Sequence, residues 1–343
     1  MKEKDPIHDG VEQILQRLNN NAISFEDQTV LVTGGAGFLG SWICDVLVTQ
    51  NARVLCVDNL ASGLQSNITH LIPSETFEYI NHDISEPLFL DEPIHIILHL
   101  ASRASPFEFA KFPIQILKSN TLGIWIALGI ARKHHARFLY TSSSEIYGDP
   151  DLKRIPTKES YYGNVNPVGP RSCYDEAKRA GEAFVIAYQI QHGIDSRIVR
   201  IFNTYGPRMR AGDIYGRVVP NFIEQALSNM PITVFGDGTQ TRSFTYVTDE
   251  VEGILKAVSM PEAKHEVINL GNDAETHIID LAEKIKKLTN SSSPIEFHPL
   301  PIDDPKRRCP DITKARTLLK WEPTTILDQG LLKTIIWYQH RTS

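Results

Sequence analysis

The segment Thr33-Gly34-Gly35-Ala36-Gly37-Phe38-Leu39-Gly40 constrains this chain more than any other, because it follows the β-rich run TVLVT and opens a helical segment. Gly34, Gly37 and Gly40 fall in the spacing GxxGxxG. Glycines at these places allow a tight strand-to-helix turn, close packing of helix on strand, and approach of a pyrophosphate to backbone N–H groups. Further β-rich runs, ARVLCVD, FEYINHD, IHIILHLA, ARFLYTSS and SRIVRIFN, then alternate with helical segments. Such alternation predicts right-handed βαβ units and a doubly wound parallel sheet covered on both faces.

The strand after the glycine turn ends in Asp58, 18 residues beyond Gly40. A carboxylate there can hydrogen-bond the adenosine ribose hydroxyls and repel a 2′-phosphate, which favours NAD over NADP. Asp83, closing the third strand, either meets the adenine amino group or caps a turn. Phe38, Leu39, Asn59, Ile84 and Leu100 complete the expected cofactor-binding set.

Three regions follow from the pattern. Residues 1–27 form a helical extension in which Val11, Ile14, Leu15 and Leu18 lie on one face, either packed on the body or touching another subunit. Residues 28–203 are mainly the dinucleotide-binding core. Residues 204–343 form a smaller ligand-binding region interleaved with the core. There NFIEQALSN and HIIDLAEKIKKLTN read as helices, KHEVINLG as a strand, IEFHPLP as extended chain, and the segment near 325–338 as a last helix.

A net charge of -6, with acidic and basic residues interspersed, gives no broad cationic field for nucleic acid. An anionic ligand requires a local pocket of arginines. Cys44, Cys56, Cys173 and Cys309 lie far apart in sequence and form no CxxC or Cys/His cluster, so no metal site is expected and a reducing cytoplasm is the expected compartment. The start Lys2-Glu3-Lys4-Asp5 is no export signal, and no stretch approaches the roughly 20 apolar residues of a membrane span.

Tyr174 and Lys178 stand four apart in the helical run YDEAKRAGEAFVIAY and project from one face. A free tyrosine, with a pKa of about 10, is a poor base at neutral pH. A neighbouring lysine ammonium and a cationic nicotinamide stabilise its phenolate and bring proton transfer within range. Ser143, ending the strand FLYTSS, is placed to hold an alcohol oxygen as it becomes a carbonyl. Together these residues point to alcohol–carbonyl redox chemistry.

With TGGAGFLG, YTSSSEIYGDP, YDEAK and FNTYGPR in this order, the chain resembles the extended short-chain dehydrogenase/reductase family from about Gln28 to Tyr338. The resemblance implies a Rossmann-type core, bound NAD and a nucleotide-sugar substrate. NVNPVGPRSCYDEAKRAGE, FNTYGPRMR, GRVVPNF and DDPKRRCPDITKAR resemble the branch that converts UDP-glucuronate to UDP-xylose. That implies C4 oxidation, loss of carbon dioxide from the resulting β-keto acid, and re-reduction at C4.

Within the family, dehydratases place Asp-Glu where this chain has Ser144-Glu145, and epimerases commonly have a small or apolar residue at the Glu145 position. The resemblance therefore assigns Glu145 to proton handling or water organisation at C5, the other reading being a turn cap. It places Arg242 and Arg308 near the diphosphate, Arg217 near the nucleotide, and Asn203 at the phosphates or sugar. Arg103 stands where the branch often has proline, and Ile214 and Tyr215 are extra residues; both departures touch the substrate region. A UDP-uronate or UDP-hexose 4-epimerase shares the oxidation residues and is the alternative, followed by a non-catalytic NAD-binding sensor. The family also implies a homodimer formed through the Tyr174 helix and the helix near 116–134.

Overall fold

A computed structural model describes residues 5–212, 217–300, 305 and 307–342; the Ile214–Tyr215 insertion lies outside the described residues. The chain opens with helix α1 (Pro6–Asn19), where the Asp5 carboxylate accepts from the Ile7 N–H at 3.0 Å and Pro6 fills the first turn. Proline costs nothing there because its missing N–H has no intrahelical partner. Val11, Ile14 and Leu18 are buried.

Strands β1 (Thr29–Thr33), β2 (Arg53–Asp58), β3 (Phe77–Asn81), β4 (Ile96–His99), β5 (Arg137–Ser143) and β6 (Ser196–Ile201) are runs of mostly apolar residues. Unbroken burial along β1, β2, β4 and β5 is what helices on both faces of a parallel sheet require. The helices between them are α2 (Phe38–Thr49), the short α3 (Pro106–Lys111), α4 (Pro113–His134) and α5 (Ser172–His192). After β6 come β7 (Thr204–Tyr205), α6 (Val218–Leu227), β8 (Ile232–Phe235), β9 (Thr241–Ser243), β10 (Thr245–Tyr246), α7 (Val247–Ser259) and β11 (Val267–Leu270).

The seven strands of the main sheet run in the order β11-β6-β5-β4-β1-β2-β3, all parallel. The doubly wound sheet expected from the sequence is thus present, and KHEVINLG supplies its last strand beside β6. The chain reverses direction of winding at β1, which lies between β2 and β4, and a crevice opens at the carboxyl ends of those strands.

The remaining elements are β12 (Glu275–His277), α8 (Ile278–Leu288), β13 (Ile295–His298), β14 (Arg307–Arg308), α9 (Thr313–Leu319) and α10 (Leu327–Thr342). β9 sits between β12 and β14 in a small sheet, and β8 pairs with β13. Phe235 on β8, Arg242 on β9, Ile278 at the start of α8 and Arg308 on β14 line a hollow beside the crevice. α7, which lacks strong terminal punctuation in the sequence, is almost wholly buried between the core sheet and α1. Arg17 on α1 reaches Asp249 and Glu252 on α7 at 2.6 and 3.1 Å, so the N-terminal helix packs on the body.

One expectation is corrected by the fold, and one contact was invisible in the sequence. α4 is, by length and composition, long and apolar enough to cross a bilayer, although much of it is buried in the protein against α5 and the sheet. Cys44 on α2 and Cys56 on β2, distant in sequence, are neighbours beneath the glycine turn. Their mutual hydrogen bond and burial push the Cys44 thiol well up, and all four cysteines are free and buried.

Candidate active site

One cleft runs along the carboxyl end of the sheet. Gly34, Gly37, Phe38, Leu39, Asp58, Asn59, Asp83, Ile84, Leu100, Arg103, Ser143, Glu145, Tyr174, Lys178, Asn203 and Arg217 all line it. A second hollow continues from it between the core and the C-terminal region, sharing Glu145, Asn203 and Arg217 and adding Arg171, Arg242 and Arg308. Local spacing and the family resemblance named the first group, whereas tertiary folding across a separation of 163 residues brings Arg308 beside Glu145.

The dinucleotide end is shaped by backbone. Gly34 has φ +73°, and a Cβ there would lie 2.8 Å from the backbone of Ala101. The turn therefore excludes side chains from the cradle that a pyrophosphate needs. Asp58 accepts from the N–H groups of Ala36 at 3.0 Å and Leu60 at 2.8 Å. Burial raises its pKa and these two bonds oppose the rise. Each carboxylate oxygen keeps a further lone pair for ribose hydroxyls. Of the two readings for Asp83, the structure shows the turn cap: it accepts from the Ser85 N–H at 2.9 Å and from Asn59 at 3.0 Å while still lining the cleft. A carboxylate-bearing cleft with a side-chain-free glycine turn fits NAD.

At the reacting end, the Ser143 hydroxyl lies beside the Tyr174 phenol, near enough to favour its ionised form. Burial pushes Tyr174 above the ordinary phenol range, and Ser143 works against that rise. Burial also lowers Lys178 to about 7, with Glu182 opposing. The Lys178 ammonium donates to the Thr141 carbonyl at 2.8 Å and lies 5.8 Å from the Tyr174 ring centre. Phe109 stacks on Tyr174 with ring centres 4.9 Å apart. Burial alone opposes a phenolate here, so its stability rests on cationic charge brought close to the oxygen.

Glu145, on the single turn Ser144–Tyr147 after β5, is held by Arg171 and by both terminal nitrogens of Arg308, one of them at 2.8 Å. Burial opposes its ionisation, but the two guanidinium charges and their hydrogen bonds outweigh it and hold the carboxyl well below the usual range. Glu145 is therefore a fixed carboxylate. It can orient water or an arginine, and it carries no proton to give at neutral pH. Arg308, expected at a diphosphate, pairs with Glu145 and also lines the second hollow. Asp175 lies 3.8 Å from Arg171, and burial together with the Glu145 charge raises it to about 7.

The other expected ligand residues differ in how they are engaged. The Asn203 side-chain nitrogen is buried without a partner among the described residues, and it faces a hollow where a ligand oxygen would satisfy it. Arg242 donates to the Thr241 carbonyl at 2.9 Å, and Arg217 to the Arg210 carbonyl at 3.4 Å. Arg103 is paired with Glu108 at 2.7 Å and lies 4.5 Å from the Phe112 ring centre, so its charge is largely matched within its own loop.

The sequence reading missed Arg171, Asp175 and Arg208 as site residues. Arg171 stands three before Tyr174 and Asp175 one after, a spacing that places Arg171 on the Tyr174 side of α5. Arg208, in the GPR of FNTYGPR, lines the dinucleotide cleft and pairs with Asp45 at 2.7 Å.

Against this geometry, a model of the NAD dependent epimerase/dehydratase family matches residues 30–271. UDP-glucuronic acid decarboxylase 1 of Danio rerio is 48% identical over 309 residues, covering 90% of this chain and 72% of that protein. UDP-glucuronic acid decarboxylase 5 of Arabidopsis thaliana is 45% identical over 315 residues, covering 92% and 90%. Among solved structures, UDP-glucuronic acid 4-epimerase from Bacillus cereus in complex with UDP-glucuronic acid and NAD aligns with a TM-score of 0.80 at 28% identity, over 92% of this chain and 100% of that one.

Proposed function

The chain belongs to the NAD dependent epimerase/dehydratase family, and from that premise we propose that it converts UDP-glucuronate to UDP-xylose by decarboxylation through a C4-keto intermediate. The observation that carries this reading is identity of 45–48% with UDP-glucuronic acid decarboxylases over about nine-tenths of the chain. The 4-epimerase that shares the fold is 28% identical.

NAD, held by the glycine turn and Asp58, supplies the hydride acceptor and donor that oxidation and re-reduction at C4 require. Tyr174 takes the proton of the C4 hydroxyl, and Lys178 stabilises the phenolate by its charge. Ser143 donates a hydrogen bond to the C4 oxygen as it becomes a carbonyl. With a ketone at C4, the electrons of the C5–carboxylate bond flow toward that carbonyl when the bond stands roughly perpendicular to the carbonyl plane. Ser143 and Tyr174 then stabilise the enolate oxygen. Glu145 is ionised and fixed between two arginines, so the proton that C5 regains comes from water ordered in the cleft, while Tyr174 keeps the proton that returns to the C4 oxygen on re-reduction. Asn203, Arg217, Arg242 and Arg308 are the candidate partners of the UDP group and uronate.

We assign the chain to the cytoplasm on the strength of its free, buried thiols, and read it as a homodimer with no membrane contact. The dimer reading is supported by apolar side chains left exposed on the paired helices: Ile114, Leu117, Leu122 and Trp125 on α4, and Ile186 and Ile190 on α5. The test of function is incubation with UDP-glucuronate and NAD, following carbon dioxide and the product sugar nucleotide. UDP-xylose with stoichiometric carbon dioxide supports the decarboxylase; an unchanged mass with inverted C4 supports the 4-epimerase instead.

A further inference from the structure

We propose that Tyr140 is a positioning residue for Lys178, its ring face holding the lysine ammonium against β5. The inference rests on Tyr174 and Lys178 being the proton-transfer pair, and it is independent of which sugar is bound. Tyr140 is fully buried, and the Lys178 ammonium lies 5.0 Å from its ring centre, closer than to the ring of Tyr174 at 5.8 Å. That distance is within the range at which an aromatic face attracts a cation, and the attraction grows when both are removed from water.

The hydroxyl is not what the residue contributes. It is buried and has no hydrogen-bond partner among the described residues, an arrangement that costs free energy. Room for the ring is made on α5 by Gly181, where a methyl group would fall on the Tyr140 hydroxyl. Burial also holds the Tyr140 phenol well above its ordinary range, so it does not compete with Tyr174 for protons. On the neighbouring strand the ring of His99, in register with Tyr140, lies 6.0 Å away at an interplanar angle of 26° and packs beside it.

The charged and titratable neighbours of Lys178 leave the ring a specific task. Glu182, one turn further along α5, favours the ammonium, but its carboxylate is committed to Arg200 on β6 at 2.7 and 2.9 Å and to the Ser142 hydroxyl at 2.6 Å. His99 is kept neutral by burial, which lowers it to about 3. Tyr174 offers negative charge only after it has lost its proton. The Thr141 carbonyl and the Tyr140 ring face then join Glu182 in favouring the charged form of the buried lysine against desolvation.

The test compares Tyr140→Leu, which removes the aromatic face, with Tyr140→Phe, which keeps it and deletes the unpaired hydroxyl. Protein carrying lysine labelled with carbon-13 at Cε is titrated by NMR, the Lys178 signal being identified by its loss in Lys178→Met. The midpoint of Lys178 is expected to fall by about one pH unit in Tyr140→Leu and to stay at the wild-type value in Tyr140→Phe. This readout needs no substrate, so it survives failure of the decarboxylase reading. In turnover, the basic limb of the kcat/KM profile should move down by the same interval in the leucine variant alone. A leucine variant that titrates like wild type overturns the proposal, as does a phenylalanine variant that shifts as far as leucine; a uniform loss of kcat at every pH assigns Tyr140 to packing only.

Discussion

Replacing Glu145 with glutamine separates the charge of this residue from its shape. In the native site one carboxylate answers both Arg171 and Arg308. Removing one member of a buried ion pair costs roughly 3–5 kcal/mol because the remaining charge is left desolvated. Two features reduce that figure here. The amide oxygen still accepts from one guanidinium, and Asp175, raised to about 7 partly by the Glu145 charge, ionises more readily once that charge is gone and can take over Arg171 from 3.8 Å. A net loss of about 2 kcal/mol at pH 7 is expected, or roughly 4–8 °C in Tm at about 2–4 °C per kcal/mol. The pH dependence has a definite sign. The folded-state pKa of Glu145 is depressed, so its contribution is present above an unfolded value of about 4.3 and is lost as pH falls through the folded one. At pH 4 the gap between wild type and variant should already be smaller by roughly 0.6 kcal/mol than at pH 7. Urea unfolding at pH 7 and pH 4, with equal slopes for the two proteins, measures both quantities. Equal midpoints at pH 7, or a gap that widens toward acid, would refute the fixed-carboxylate assignment.

Four further outcomes follow from the same geometry. Gly34→Ala forces a Cβ into a position with φ +73° and onto Ala101, so NAD affinity by calorimetry should fall at least tenfold, and an unchanged Kd contradicts the cradle. Tyr174→Phe should lose about 10²- to 10⁴-fold in carbon dioxide release with the fold intact by circular dichroism; activity within tenfold of wild type removes Tyr174 from the proton-transfer role. Glu250 is buried on α7 with neither carboxyl oxygen hydrogen-bonded among the described residues, and burial raises it to about 8. Its folded pKa exceeds the unfolded one, so its contribution is complete below about pH 4.3 and declines up to about 8. Stability of Glu250→Gln relative to wild type should therefore climb between pH 5 and 8, and a flat difference argues against a buried neutral acid. Trp125→Glu, on a half-exposed position of α4, should yield monomers by light scattering at micromolar concentration, whereas an unaltered mass places any dimer contact elsewhere.

What the sequence made legible is local. The glycine turn, Asp58 at the end of the next strand, and Tyr174 with Lys178 one helical turn apart are all written in spacings that βα units and helices impose. Six of the seven core strands read as β-rich runs, and the seventh, β11, was visible as a strand but not as a member of the main sheet. Its place depends on a parallel pairing with β6 across more than 60 residues of chain. The same limit hid the clamp on Glu145, since Arg308 meets it from a separation of 163 residues. It also hid the contact of Cys44 with Cys56, and the support of Lys178 by Tyr140, whose phenol looks in sequence like one more apolar strand residue. The charge of Arg103 was visible; its pairing with Glu108 was not, because a loop residue followed by a short helix specifies no mutual side-chain direction. Burial and countercharge, the quantities that set pKa, arise only when distant elements are packed.

The central claim is tested most directly by turnover of UDP-glucuronate carrying deuterium at C4, in ordinary water, with NAD present in less than one equivalent. Transient oxidation at C4 followed by decarboxylation predicts one equivalent of carbon dioxide and UDP-xylose that keeps its deuterium at C4 over many turnovers. A product of unchanged mass with inverted C4, or UDP-xylose formed without any redox change at C4 when NAD is stripped from the protein, would contradict it.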